Sequence, residues 1–181
     1  MTEPLLIVDV QPGFINSFTH HIPQRIARLI QRDRYAPLLF TRFINETDGP
    51  YQKFLDWHSC DREPEINIVP ELEPFVQESC VFSKSGLCGM PDDLAGYLQE
   101  QHVKRISIVG IDTDMCVLKI AMDIFDIGIE PIVLTDCCAS TAGLQAHLAG
   151  LAVLSRNIGA QRLRDAGLGD GWLAAPPQSG G

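Results

Sequence analysis

The sequence lacks any run of about 18 apolar residues, the least that a membrane-spanning helix needs. Met1-Thr2-Glu3-Pro4 places no basic segment ahead of the first apolar run, so no secretory signal is expected and the expected location is cytoplasmic. There is no C-x-x-C pair, which removes the anchor of a zinc ribbon or a thioredoxin-type redox site. No G-x-G-x-x-G follows the first apolar run and no Gly-Lys-Ser/Thr is present, so a nucleotide-binding domain has no phosphate cradle. Positive charge is scarce: 14 Lys and Arg against 23 Asp and Glu give a formal net charge of −9. That argues against a nucleic-acid partner, whose phosphates need a basic face. It says less about small anions, because one local Arg can hold a carboxylate on an acidic protein.

What is present fits one domain. The 181 residues are 45% hydrophobic and 20% charged, enough to bury a core and too apolar for general disorder. The six cysteines (Cys60, Cys80, Cys88, Cys116, Cys137 and Cys138) do not form a disulfide framework by their number alone. Each is by default a small buried hydrophobe, and a reactive one must be singled out by its position.

Apolar runs alternate with helical patterns. Strands are expected at Pro4–Val10, Pro37–Phe43, Ser79–Lys84, Arg105–Gly110 and Pro131–Thr135, with a sixth at Ile158–Leu163. Ile22, Ile26, Leu29 and Ile30 share one helix face. Further helices are expected over Tyr51–His58, Pro91–His102, Met115–Ile127 with Gly128 as its stop, and Thr141–Leu154. Continuous apolar strands between helices predict an α/β fold: a three-layer α/β/α, doubly wound, mostly parallel six-stranded sheet. The domain is expected to span residues 1–170, with a loosely held tail over 171–181.

Ligands of such sheets bind beyond the carboxyl ends of the strands. The first strand ends at Asp9, the third at Lys84, and the fourth runs through Gly110-Ile111-Asp112-Thr113-Asp114-Met115-Cys116 into a helix. A carboxylate, an ammonium and a thiol are thus delivered to one edge. A helix N-terminus is expected to favour thiolate at Cys116, and amides of that turn suit an oxyanion. Asp9 is the candidate base and later acid, and Lys84 would orient it. Phe14, Phe43 and Trp57 are candidate aromatic walls, and Arg42 is a candidate grip for a substrate carboxylate. Leu87 and Cys88 are candidates for the Lys84 side of the same pocket.

Three separated motifs carry a resemblance. Leu6-Ile7-Val8-Asp9-Val10-Gln11-Pro12-Gly13-Phe14, Phe82-Ser83-Lys84-Ser85-Gly86 and Val109-Gly110-Ile111-Asp112-Thr113-Asp114-Met115-Cys116-Val117 occur in order. With Thr135–Ser140 and His147 they resemble the isochorismatase-like cysteine hydrolases, which include nicotinamidases and N-carbamoylsarcosine amidohydrolase. The resemblance covers residues 4–163. It implies a triad of Asp9, Lys84 and Cys116, a cis peptide at Ile111–Asp112, and an oxyanion hole from the amides of Asp112 and Cys116. It implies self-association as a dimer or tetramer.

Two departures qualify it. Position 112 is often small and neutral in relatives. Asp112 is therefore expected either to repel the thiolate or to cap the following turn. The Asp-x-His metal pair that nicotinamidases carry after the second strand is missing. Asp56-Trp57-His58 imitates it in letters only, on the expected short helix beyond. His20, His21, His102 and His147 show no ligand spacing, so no metal or cofactor is expected. The sequence-level expectation is hydrolysis of a small-molecule amide, ureido or related C–N bond through a thioester. The alternatives are a catalytically silent binding or assembly protein and a vinyl-ether hydrolase.

Overall fold

In the computed structural model, residues 2–86 and 89–169 are described. Leu87, Cys88 and the 171–181 tail, on which expectations were placed, lie outside the described residues. Six strands form one sheet: β1 (Glu3–Val8), β2 (Tyr35–Phe43), β3 (Val81–Lys84), β4 (Arg105–Ile111), β5 (Glu130–Ala139) and β6 (Leu163–Arg164). Their order is β3-β2-β1-β4-β5-β6 and every neighbouring pair is parallel. Helices α1 (Ile22–Ile30), α2 (Pro50–Leu55), α3 (Asp92–Glu100), α4 (Leu118–Asp126) and α5 (Leu144–Leu154) connect them.

The period-2 alternation of the strands divides the core into two layers. Leu5 and Ile7 of β1 pack with Ile22, Ile26 and Leu29 of α1 on one face. Leu6 and Val8 pack with Leu94 and Leu98 of α3 and with Ile120 and Ile124 of α4 on the other. The sheet is therefore covered on both faces, as its continuous apolar strands predict.

Two of the differences from the sequence reading have a clear physical cause. The expected strand at Ile158–Leu163 is mostly helical: a wide helical turn occupies Ser155–Gly159, and only Leu163–Arg164 pair with β5. Leu154 and Ile158, four apart, are buried together in one core layer, so this apolar run follows the helix period. The short helix ends at Leu55 rather than His58, because Asp56 turns left-handed at φ 51° and caps it.

Strand order reverses between β1 and β4, which opens a crevice at their carboxyl ends. Gly110 permits the close approach of these two strands. It has φ +129°, and a Cβ there would lie 2.2 Å from the Val8 carbonyl oxygen.

Candidate active site

Asp9 follows β1 directly and adopts φ 49°, a left-handed conformation that Asp tolerates better than most residues. Thr41 of β2 fixes it, donating its hydroxyl to Asp9 Oδ1 at 2.7 Å and accepting the Asp9 N–H at 3.2 Å. Lys84, the last residue of β3, places Nζ 2.7 Å from Asp9 Oδ2 and 3.4 Å from Cys116 Sγ. The Lys84 and Asp9 side chains are 1% and 0% exposed, so this ion pair is desolvated. Burial works to lower the Lys84 pKa. The Asp9 carboxylate and Cys116 more than offset it and hold the ammonium charged, above its ordinary range.

Cys116 lies in a wide helical turn, Thr113–Val117, that precedes α4. Gly150 of α5 lets this turn pack closely; a Cβ there would be 2.8 Å from Asp114 Cα. The thiol does not show the lowered pKa that a helix start suggests. Burial pushes it up, the adjacent Asp9 pushes it further, and Lys84 offsets only part. The balance of these influences favours the neutral thiol over the thiolate.

The Ile111–Asp112 peptide is cis. The Asp112 side chain does not cap the turn that follows it. Its partner is Thr141, just beyond the end of the neighbouring strand β5. Asp112 Oδ1 accepts the Thr141 N–H at 2.6 Å and Oδ2 accepts the Thr141 hydroxyl at 2.8 Å. Burial raises its carboxyl to about 6, although the two bonds from Thr141 favour the charged form.

A cleft of about 390 Å³ opens above Cys116. Phe14, Phe43 and Trp57 all line it, and Tyr51 joins them. Phe14 and Trp57 stack at 5.8 Å and 16°, and the Tyr51 ring meets Phe43 edge-on at 5.3 Å. Gln11 holds this wall from behind: its amide donates to the Phe43 carbonyl at 2.9 Å and accepts the Phe43 N–H at 2.7 Å. Asn45 holds Trp57 by donating to its carbonyl at 2.9 Å. Asp112, Met115 and Thr141 line the opposite side, and Asn16 ties to it through the Thr141 carbonyl at 2.9 Å. A larger cavity, about 650 Å³, lies by Pro4, Pro37 and Arg105 at the amino ends of the strands, away from the thiol.

Arg42 is not brought to the cleft. It follows the strand alternation away from Phe43 and reaches Ser83 Oγ of β3 at 3.3 Å. Asp56 and His58 touch each other at 3.0 Å on an exposed surface. Among the described residues no group of three His, Cys, Asp or Glu side chains is arranged to hold a metal. His147 is half-buried and bonded to Thr113 Oγ1 at 2.8 Å. Sequence reasoning missed Thr41, Tyr51 and Thr141. The apolar alternation of β2 points Thr41 inward, but the other two carry no signal in the sequence.

Comparison with known proteins bears on the family and the fold. Residues 3–163 match the isochorismatase domain. The chain belongs to the isochorismatase family. An isochorismatase-like hydrolase from Alkaliphilus metalliredigens superposes with a TM-score of 0.78 at 19% identity, covering 92% of this chain and 96% of that one. The pyrazinamidase/nicotinamidase of Streptococcus mutans UA159 gives 0.74 at 23% identity, covering 88% and 98%. The N-carbamoylsarcosine amidase of Thermoplasma acidophilum gives 0.72 at 18%, covering 94% and 100%. At these identities the likeness is one of fold.

Proposed function

We propose that this chain is a cysteine-dependent hydrolase that cleaves a C–N bond of a small-molecule amide or ureide through a thioester. The observation that carries this reading is the meeting of Asp9, Lys84 and Cys116, from three different strand ends, at the floor of an aromatic-walled cleft. The similarity of fold to a nicotinamidase and an N-carbamoylsarcosine amidase supports it.

The neutral thiol sets the first step. Asp9 takes the Cys116 proton as Sγ adds to the substrate carbonyl, so no free thiolate need accumulate. The amides of Asp112 and Cys116 receive the oxyanion. Asp9, now protonated, gives its proton to the departing ammonia or amine as the C–N bond breaks. Water then adds to the thioester with Asp9 as base, and the acid leaves with Cys116 restored as the thiol. Lys84 holds Asp9 in place and offsets the charge that passes between carboxylate and sulfur.

Ammonia release from a panel of primary amides and ureides tests the reading, with acyl-enzyme trapped by intact-mass spectrometry. Cys116→Ala is expected to lose at least about 10³-fold in kcat/KM and to form no adduct. Equal turnover by wild type and Cys116→Ala would sink it.

A further inference from the structure

We infer that Asp112 makes the cleft selective for charge, so that it takes an amide bearing a neutral or cationic ring substituent and rejects one bearing a carboxylate. This rests on the hydrolase reading for its substrate class but not for its test. Among the described residues that line the cleft there is no Lys, Arg or His. Among the described lining residues the one acidic side chain is Asp112, a buried residue. The nearby ammonium of Lys84 is 1% exposed and already engaged by Asp9 and Cys116. Arg42, the cation that the sequence offered for a carboxylate, is held at Ser83 on the neighbouring strand. An anionic substituent entering here would lose its water, face Asp112 and find no counter-charge.

A donor gains what an anion loses. Thr141 occupies each oxygen of Asp112 once, and a carboxylate oxygen accepts two hydrogen bonds. An ammonium or N–H on the substrate therefore meets an acceptor with spare capacity. The faces of Phe14, Trp57 and Tyr51 across the cleft tolerate a cation as readily as a flat neutral ring.

Benzamide, 3-(aminomethyl)benzamide and 3-carboxybenzamide are suitable probes, because they share the ring and the amide and differ in charge. Dissociation constants are measured by calorimetry on Cys116→Ala at pH 8, well above the value of about 6 at which burial holds the Asp112 carboxyl. The aminomethyl and neutral amides are expected to bind at least tenfold tighter than the carboxylate. Asp112→Asn in the same background should narrow the cation-to-anion ratio by tenfold or more. Leu55→Arg, a substitution at an exposed rim position, should narrow it from the other direction without disturbing the buried carboxylate. Equal binding of the three probes, no saturable binding of any, or a ratio unmoved by both variants would overturn the inference. Ordered binding in Cys116→Ala with no turnover of any amide by wild type would uphold it and sink the hydrolase reading instead. Turnover without that order would do the reverse.

Discussion

Thr41 and Asp9 hold each other by two hydrogen bonds in opposite senses, the hydroxyl donating to Oδ1 at 2.7 Å and accepting the Asp9 N–H at 3.2 Å. Both residues are fully buried, so water cannot replace either bond. The left-handed backbone of Asp9 and the aim of its carboxylate are thus fixed by a neighbouring strand. Thr41→Val removes both bonds and keeps the shape. A hydrogen bond to a charged group contributes about 1.5–3 kcal/mol, so kcat should fall roughly ten- to hundredfold while KM changes little. Thr41→Ser should recover most of the loss. Steady-state kinetics on the best amide of the panel decide it; an equal loss in both variants would mean that packing, not the hydroxyl, matters.

The protonation state of Cys116 gives a prediction opposite to that for a helix-activated thiolate. Burial and the Asp9 charge raise its pKa, and removing Asp9 leaves the Lys84 ammonium 3.4 Å from sulfur. Asp9→Asn should therefore shift iodoacetamide labelling of Cys116 to lower pH while it abolishes turnover. In wild type, labelling should be slow at pH 7 and rise only above about pH 9, near and beyond the ordinary thiol range. Peptide mass spectrometry over pH 6–10 follows both, with the buried Cys60 and Cys137 as controls for folding. Breaking the ion pair costs on the order of 3–5 kcal/mol, so the variant is best measured at low temperature. Fast wild-type labelling below pH 7 would contradict the neutral-thiol ground state.

The parts of this site that were legible in the sequence are those set by strand ends. Asp9, Lys84 and Cys116 each close or follow an apolar run, and a parallel sheet sends all such ends to one edge. Phe14, Phe43 and Trp57 stand within or just after the same ends. What depends on packing between distant segments was not legible. Tyr51 reaches the cleft because Asp56 stops α2 and Asn45 anchors the chain at Trp57. Asp112 turns to Thr141, 29 residues away, rather than into its own turn. The pKa of the thiol reflects burial that no local pattern encodes. The β6 region misled because the helical pair Leu154 and Ile158 straddles the start of the expected strand, with the polar Ser155, Arg156 and Asn157 between them.

Asp112 also gives the protein a measurable acid-range slope. Its folded-state pKa, about 6, lies above the ordinary carboxylate value of 3.8, with burial the main cause. Between those values the folded state keeps a proton that the unfolded chain has released. Stability from this group is therefore greatest below pH 4, falls as pH rises through the window, and is flat above it. Asn has no such proton. The unfolding free energy of Asp112→Asn minus that of wild type should thus move in favour of the variant by about 2 kcal/mol between pH 4 and pH 7. Urea denaturation at three pH values measures it, and the subtraction cancels the other carboxylates. A difference that stays constant with pH would show that Asp112 ionises normally.

Helix α5 makes self-association a sharper expectation than the fold alone does. Its eleven residues contain no Asp, Glu, Lys or Arg. Leu144, Leu148 and Val153 stand 68%, 54% and 43% exposed along its outer face, and Ala149 and Ala152 lie open between them. Apart from Gln145 and His147 its side chains are apolar, and an apolar helix face is ordinarily covered. A second copy of this chain is the occupant that suits it, because a two-fold contact sets this uncharged stripe against itself and the small Ala positions leave room for the opposing Leu side chains. Phe18, 53% exposed, lies against Gly143 at the start of the same stripe, next to the Thr141 side of the cleft. Sedimentation velocity of the full chain at micromolar concentration should show a dimer or larger species. Leu148→Glu would place two carboxylates against each other near the axis and should give monomer without unfolding, since the position is half-exposed. Thr141 and Asn16 share the adjoining rim, so KM should rise in the same variant while kcat changes less. A wild-type monomer, or an unchanged distribution in Leu148→Glu, would assign the stripe no role in association.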